Sequence, residues 1–131
     1  MVKKWIMIIA IMWILTAGCI LENRFVNNAF DFLEYRLENY VYMLDEDQEH
    51  IDTQENIDYM KDLHEKWNKK NKILKSLIWH TGMKDIEIGL ARISTYTEDN
   101  NYVEAETELD ALIDYIQHYS KDFALTWENF F

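Results

Sequence analysis

A chain of 131 residues has room for about one cooperative core and none for a second catalytic domain. With 49% hydrophobic and 15% aromatic residues it is too apolar to be disordered, and with no proline and three glycines it lacks the turn residues of a many-stranded fold, so helices are favoured. The formal net charge is -11, and residues 19–131 hold 11 bases against 24 acids; such a surface repels polyanions and excludes DNA and RNA as expected partners.

The first element is apolar. Lys3-Lys4 is followed by Trp5 to Leu21, 17 residues without a charge, and Glu22-Asn23-Arg24 closes the run. Two readings fit. As one helix the run is ~25 Å long at ~1.5 Å per residue, near the lower limit for crossing the hydrocarbon core. Alternatively, Trp5 to Leu15 is the hydrophobic region of a signal peptide and Leu15 to Cys19 (LTAGC) is a lipobox, with Cys19 the lipidated first residue. Ala17, Gly18 and Cys19 suit a lipobox, whereas Thr16 stands where leucine is usual and Ile20-Leu21 continues into a helical pattern without a polar tether. A buried core helix is a third option. Cys19 is the single cysteine, so no intramolecular disulfide is possible. Both membrane readings leave Lys3-Lys4 in the cytoplasm and place residues 22–131 outside, as one extracytoplasmic acidic domain behind a 1–21 anchor or signal.

From Phe25 to about Glu49, Val26, Phe30, Leu33, Leu37, Tyr40, Val41 and Leu44 recur at spacings of three and four, which predicts a first helix running directly out of the apolar segment. After Asp45-Glu46-Asp47, Asp52 or Thr53 is placed to cap a second helix. That helix has Ile57, Met60, His64, Trp67, Asn71, Leu74 and Ile78 as its stripe. Beyond Trp79-His80 the stripe moves to Met83, Ile86, Leu90 and Ile93, which predicts a kink or break near Thr81-Gly82. Residues 98–101 (EDNN) read as a turn. A further helix follows with Val103, Ala105, Leu109, Leu112, Ile113, Ile116 and Tyr119, and Phe123 to Phe131 reads as a short aromatic helix or tail that packs on the bundle or a partner. The second helix is the basic one: residues 52–80 have six bases and five acids, residues 22–49 two and eight, and residues 98–131 one and nine. It is therefore expected between two acidic neighbours in an antiparallel bundle, each exposed pair adding about 0.2 to 1 kcal/mol.

Chemistry-bearing patterns are sparse. Inward Glu-x-x-His motifs build di-metal centres in helical bundles, but here only Asp47 and His50 have the three-residue offset, and His64, His80 and His118 have no carboxylate three positions before them. No metal site, cofactor or catalytic residue is expected from such spacing. His64 and His80, beside Trp67 and Trp79, read as buried or semi-buried groups satisfied by hydrogen bonds, and Asp114 with His118 as a surface pair one turn apart. Ser76, Ser94 and Ser120 lack a glycine-rich elbow, and no phosphate-cradling loop is present.

The segments Trp67-Asn68-Lys69-Lys70, His80 with Asp85-Ile86, Leu90 to Ile93, Asn101 with Glu104-Ala105 and Glu108-Leu109, His118, and Glu128-Asn129-Phe130-Phe131 together resemble a family of short clostridial and related bacterial proteins called domain of unknown function 4363. The resemblance spans roughly residues 50–131. It implies an N-terminal hydrophobic anchor, a helical body, and a part in fold or contact for His80 and the terminal Asn-Phe-Phe; it implies no chemistry. The expected fold is all-α, an antiparallel bundle of three to four helices following an N-terminal membrane helix. The expected function is a membrane-anchored interaction or structural module, with Trp127, Phe130, Phe131 and His80 as contact candidates and an envelope or membrane protein as partner. The alternative is a small-ligand or metal-cation sensing domain using His64 and His80.

Overall fold

The computed structural model describes the backbone of residues 1–77 and 83–130, and side chains except those of residues 75–77 and 122–130. Among these residues there is no strand, and the helices are α1 (Val2–Glu46), α2 (Gln54–Leu77), α3 (Met83–Glu98) and α4 (Tyr102–Phe130).

The apolar segment and the first bundle helix are one element. Nothing between Leu21 and Phe25 breaks a helix, and α1 runs unbroken for 45 residues. Its buried members are Val26, Ala29, Phe30, Leu33, Leu37, Tyr40 and Leu44, the three-and-four stripe read from sequence with Ala29 added and Val41 only half-buried. In α2, Thr53 is the cap: its carbonyl accepts from Ile57 N at 3.0 Å and its hydroxyl from Asn56 N at 3.3 Å. The core face of α2 matches expectation at Met60, Trp67, Asn71 and Leu74 and differs at Ile57 and His64, while Ile78 lies outside the described residues. Asn56, Met60, Leu63, Trp67, Asn71 and Leu74 are buried, while Ile57 and His64 are half-buried, one position round the helix. Asn56 takes the inner position because its amide donates to the Ile51 carbonyl at 2.9 Å, which satisfies a buried polar group. The expected kink near Thr81-Gly82 lies outside the described residues.

The 98–101 turn has a specific geometry. Asn100 adopts φ 53, Asn100 N donates to Thr97 O at 3.1 Å, and Asn101 N donates to Tyr96 O at 2.9 Å. This is a Schellman closure with asparagine in the left-handed position that glycine usually takes. Asn101 then caps α4 by accepting from Glu104 N at 3.3 Å. The chain's last turns are not a separate element: α4 continues as helix through Phe130.

Each helix packs on its neighbours in sequence, and α4 closes the ring onto α1. Facing pairs run antiparallel: Arg36 with Asp62, Asn71 with Glu87, Arg92 with Glu108, and Glu34 with Gln117. Across the centre, Tyr40 of α1 meets Thr97 of α3 through a 2.7 Å hydroxyl–hydroxyl bond. Phe30 packs on Trp67 of α2 and Tyr119 of α4, with ring centroids 6.1 and 5.4 Å away. At the α3–α4 crossing, a Cβ on Gly89 would stand 3.1 Å from Leu112 Cδ1, so the absent side chain is what lets these helices close. The order of packing revises the charge expectation. Basic α2 lies between acidic α1 and mixed α3, and acidic α4 lies against acidic α1. There the contacts are made by neutral partners, Gln117 to Glu34 at 2.9 Å and Tyr102 to Asp45 at 2.6 Å, so apposed carboxylates gain hydrogen-bond donors.

Candidate functional site

The most unusual surface is the first half of α1. Burial against the bundle begins at Val26; before it, large side chains stand open, among them Trp13 at 73%, Ile14 at 71% and Leu15 at 63%. One stretch of this helix has mean hydropathy 2.1, none of it buried, and is long and apolar enough to cross a membrane. Its one hydroxyl is internally satisfied, Thr16 Oγ1 donating to Met12 O at 2.8 Å, as an apolar medium demands. Cys19 is a half-buried free thiol on the same helix, with Gly18 beside it facing open space.

Above this junction the polar side chains tie helices together. Arg36 is held between α1 and α2: Nε donates to Tyr59 Oη at 3.0 Å, Nη2 reaches Asp62 Oδ2 at 3.2 Å, and the guanidinium lies 4.3 Å from the Tyr59 ring centroid. Tyr59 Oη donates to Arg36 O at 2.7 Å, and its ring stacks on Tyr40 at 5.4 Å and 7°. Lys66 Nζ comes within 3.0 Å of Asp62 Oδ2. Hydrogen bonding from Lys66 first, then from Arg36, holds the Asp62 carboxyl below the usual carboxylate range. Lys70 sits 4.9 Å above the Phe32 ring.

At the end of the bundle away from the apolar segment, Asn100 joins the two loops. Its Oδ1 accepts from Ile51 N at 2.8 Å and its Nδ2 donates to Glu49 O at 2.9 Å. The Asp45 acceptor raises the Tyr102 phenol well above its usual value. In the core, burial pushes the Tyr40 phenol up to about 12. Trp67 Nε1 and Asn71 Oδ1, one turn apart on α2, are buried without a hydrogen-bond partner among the described residues, although the Asn71 amide donates to Glu87.

A groove of about 270 Å³ lies between α3 and α4, lined by Asp85, Ile88, Gly89 and Arg92 of α3 and by Leu112 and Tyr115 of α4 among others. Arg92 and Glu108 approach across it to 3.6 Å. Burial, and then the Asp85 charge, raise the Tyr115 phenol.

Among the described residues no three metal-ligating side chains converge. His50 and His118 form exposed pairs with Asp47 and Asp114, each at 3.5 Å. His64 is half-buried on α2, one step from the core face. His80, Phe131 and the side chains of Trp127 and Phe130 lie outside the described residues; Trp127 and Phe130 belong by backbone to α4. Sequence reasoning missed the Arg36 clamp and the Asn100 staple. Arg36 carried one signal, being one of two bases among eight acids in residues 22–49.

Residues 24–130 match the family described as Domain of unknown function (DUF4363), and the chain belongs to that family. The match begins where α1 leaves the apolar segment and takes in the whole bundle, so it extends further toward the N-terminus than the resemblance read from sequence. No curated protein and no solved structure matches the chain.

Proposed function

We propose that this DUF4363 member is a membrane-anchored, non-enzymatic contact module. Residues 1–21 span the bilayer, residues 22–131 stand on its extracytoplasmic side, and the bundle acts by holding another envelope or membrane protein. The observation that carries the reading is the continuity of α1: a single helix bears the unburied apolar stretch and, without a linker, the core stripe from Val26 to Leu44. An apolar surface of that extent is stable in lipid and a liability in water. Because the helix passes through Leu15 to Cys19 and on into the bundle unbroken, a spanning segment is favoured over a cleaved lipobox. Lys3-Lys4 before the run sets the orientation by the positive-inside tendency.

For the contact itself, the outer face of α1 presents Tyr35 and Tyr42, 70% and 73% exposed and two helical turns apart. Exposed tyrosines in register are the residue type that anchors protein interfaces. The test is a photo-reactive amino acid at position 35 or 42 of the full chain in cells, with position 107 on α4 as control. A discrete cross-linked product at 35 or 42, absent at 107 and lost when residues 1–21 are deleted, is expected. Release of the full chain from membranes by alkaline carbonate, or identical products at all three positions, would refute the reading.

A further inference from the structure

The register between α1 and α4 has a consequence at the membrane end. Asp45 meets Tyr102, Glu34 meets Gln117 and Phe30 meets Tyr119, so each step back along α1 is matched by one step forward along α4. Helix α4 does not stop where the described core contacts stop; its backbone continues to Phe130. At an equal rise of about 1.5 Å per residue in both helices, position 123 comes level with about Val26, 127 with about Glu22 and 130 with about Cys19. The last two turns of α4 therefore reach the level at which the uncharged run Trp5 to Leu21 ends.

The composition of α4 changes at that level. Residues 102–122 carry six acids and one base, whereas residues 123–131 (FALTWENFF) hold Phe123, Leu125, Trp127, Phe130 and Phe131 with a single charge, Glu128. Tryptophan and other aromatic residues concentrate where protein crosses from water into the headgroup layer, because their rings are apolar with a polar or polarisable edge. Resting on the membrane-anchored reading of α1, we propose that the last two turns of α4 form a second, non-spanning membrane contact. They seat residues 123–130 in the headgroup layer beside the point where α1 enters the bilayer. The bundle is then held by two adjacent helices, which fixes its tilt as one spanning helix alone does not. The occupant of this segment is lipid, and zwitterionic lipid in particular, since Asp122 and Glu128 add no attraction for anionic headgroups.

The test uses the full chain in phosphatidylcholine vesicles, with nitroxide labels placed one at a time on cysteines in a Cys19→Ser background. Labels go at Leu15, Thr107, Lys121, Thr126 and Asn129, and depth is read from the ratio of collision rates with oxygen and with a water-soluble nickel chelate. Position 15 should read as hydrocarbon and 107 as water, and the ratio should rise steadily from 121 through 126 to 129, ending several-fold above 107. Position 15 deep with 126 and 129 as aqueous as 107 would overturn the lipid contact and leave the anchor standing. Position 15 deep with 126 and 129 shielded from both reagents would place the segment against protein, and overturns the proposal equally. An aqueous position 15 would refute the anchor and this inference with it.

Discussion

Asn100 is the residue on which the far end of the bundle depends, and its two roles can be separated by substitution. Its backbone sits at φ 53, and its side chain bonds Ile51 N and Glu49 O at 2.8 and 2.9 Å. Asn100→Gly keeps a backbone that tolerates positive φ and loses both side-chain bonds, each of which contributes about 0.5–1.5 kcal/mol, so a loss of about 1–3 kcal/mol is expected. Asn100→Ala loses the same bonds and forces an ordinary side chain into the left-handed region, a further cost of about 1–2 kcal/mol. The expected order of stability is wild type, then glycine, then alanine. Urea unfolding of the full chain in detergent micelles, followed by helical circular dichroism, measures it. Alanine and glycine variants of equal midpoint would refute the strained-turn argument, and a glycine variant as stable as wild type would refute the staple.

Three further outcomes follow from the packing. Asp62 has its carboxyl lowered below 3.8 by Lys66 and Arg36, so its contribution is present above the ordinary carboxylate pKa and is lost as pH falls through the lowered value; Asp62→Asn should narrow the difference in melting temperature between pH 6 and pH 3. Tyr40 is fully buried and its phenol is raised from 10.0 to about 12, so its contribution is intact below pH 10 and lost as pH rises toward 12; Tyr40→Phe should cost about 0.5–1.5 kcal/mol at neutral pH and flatten the alkaline limb of the stability profile. Gly89→Val should lower stability by about 1–3 kcal/mol in the same urea assay, because the new side chain meets Leu112 at the α3–α4 crossing.

What the sequence made visible was set by local periodicity. The stripes of α1 and α3 were readable because the large apolar residues fall on one face, and Met83, Ile86, Leu90 and Ile93 are all fully buried. In α2 Met60, Trp67, Asn71 and Leu74 were equally readable, but at Ile57 and His64 the core face lies one position earlier, at Asn56 and Leu63; an apolarity count cannot choose the asparagine without knowing that the Ile51 carbonyl awaits it. The Arg36–Tyr59–Asp62 clamp was not readable, since it joins residues 23 and 26 positions apart through an inter-helix register that no single helix encodes. The neighbours of α2 were not readable for the same reason: charge balance suggested acidic helices on both sides, whereas α2 packs on α1 and α3, and α4 packs on α3 and α1. The Asn100 turn was half-read, its position from composition and its bonds to Glu49 and Ile51 only from the fold. Of the contact candidates, Trp127 and Phe130 acquire a place at the end of α4, whereas His80 and Phe131 lie outside the described residues.

The claim at the centre is that α1 remains one helix, from the apolar run into the bundle core, in the mature protein. The intact mass of the chain extracted from the membranes of cells that express it tests it most directly. A membrane-bound species that retains the residues before Cys19 and carries no lipid is expected; loss of the first 18 residues with diacylglycerol on Cys19 would contradict a continuous α1.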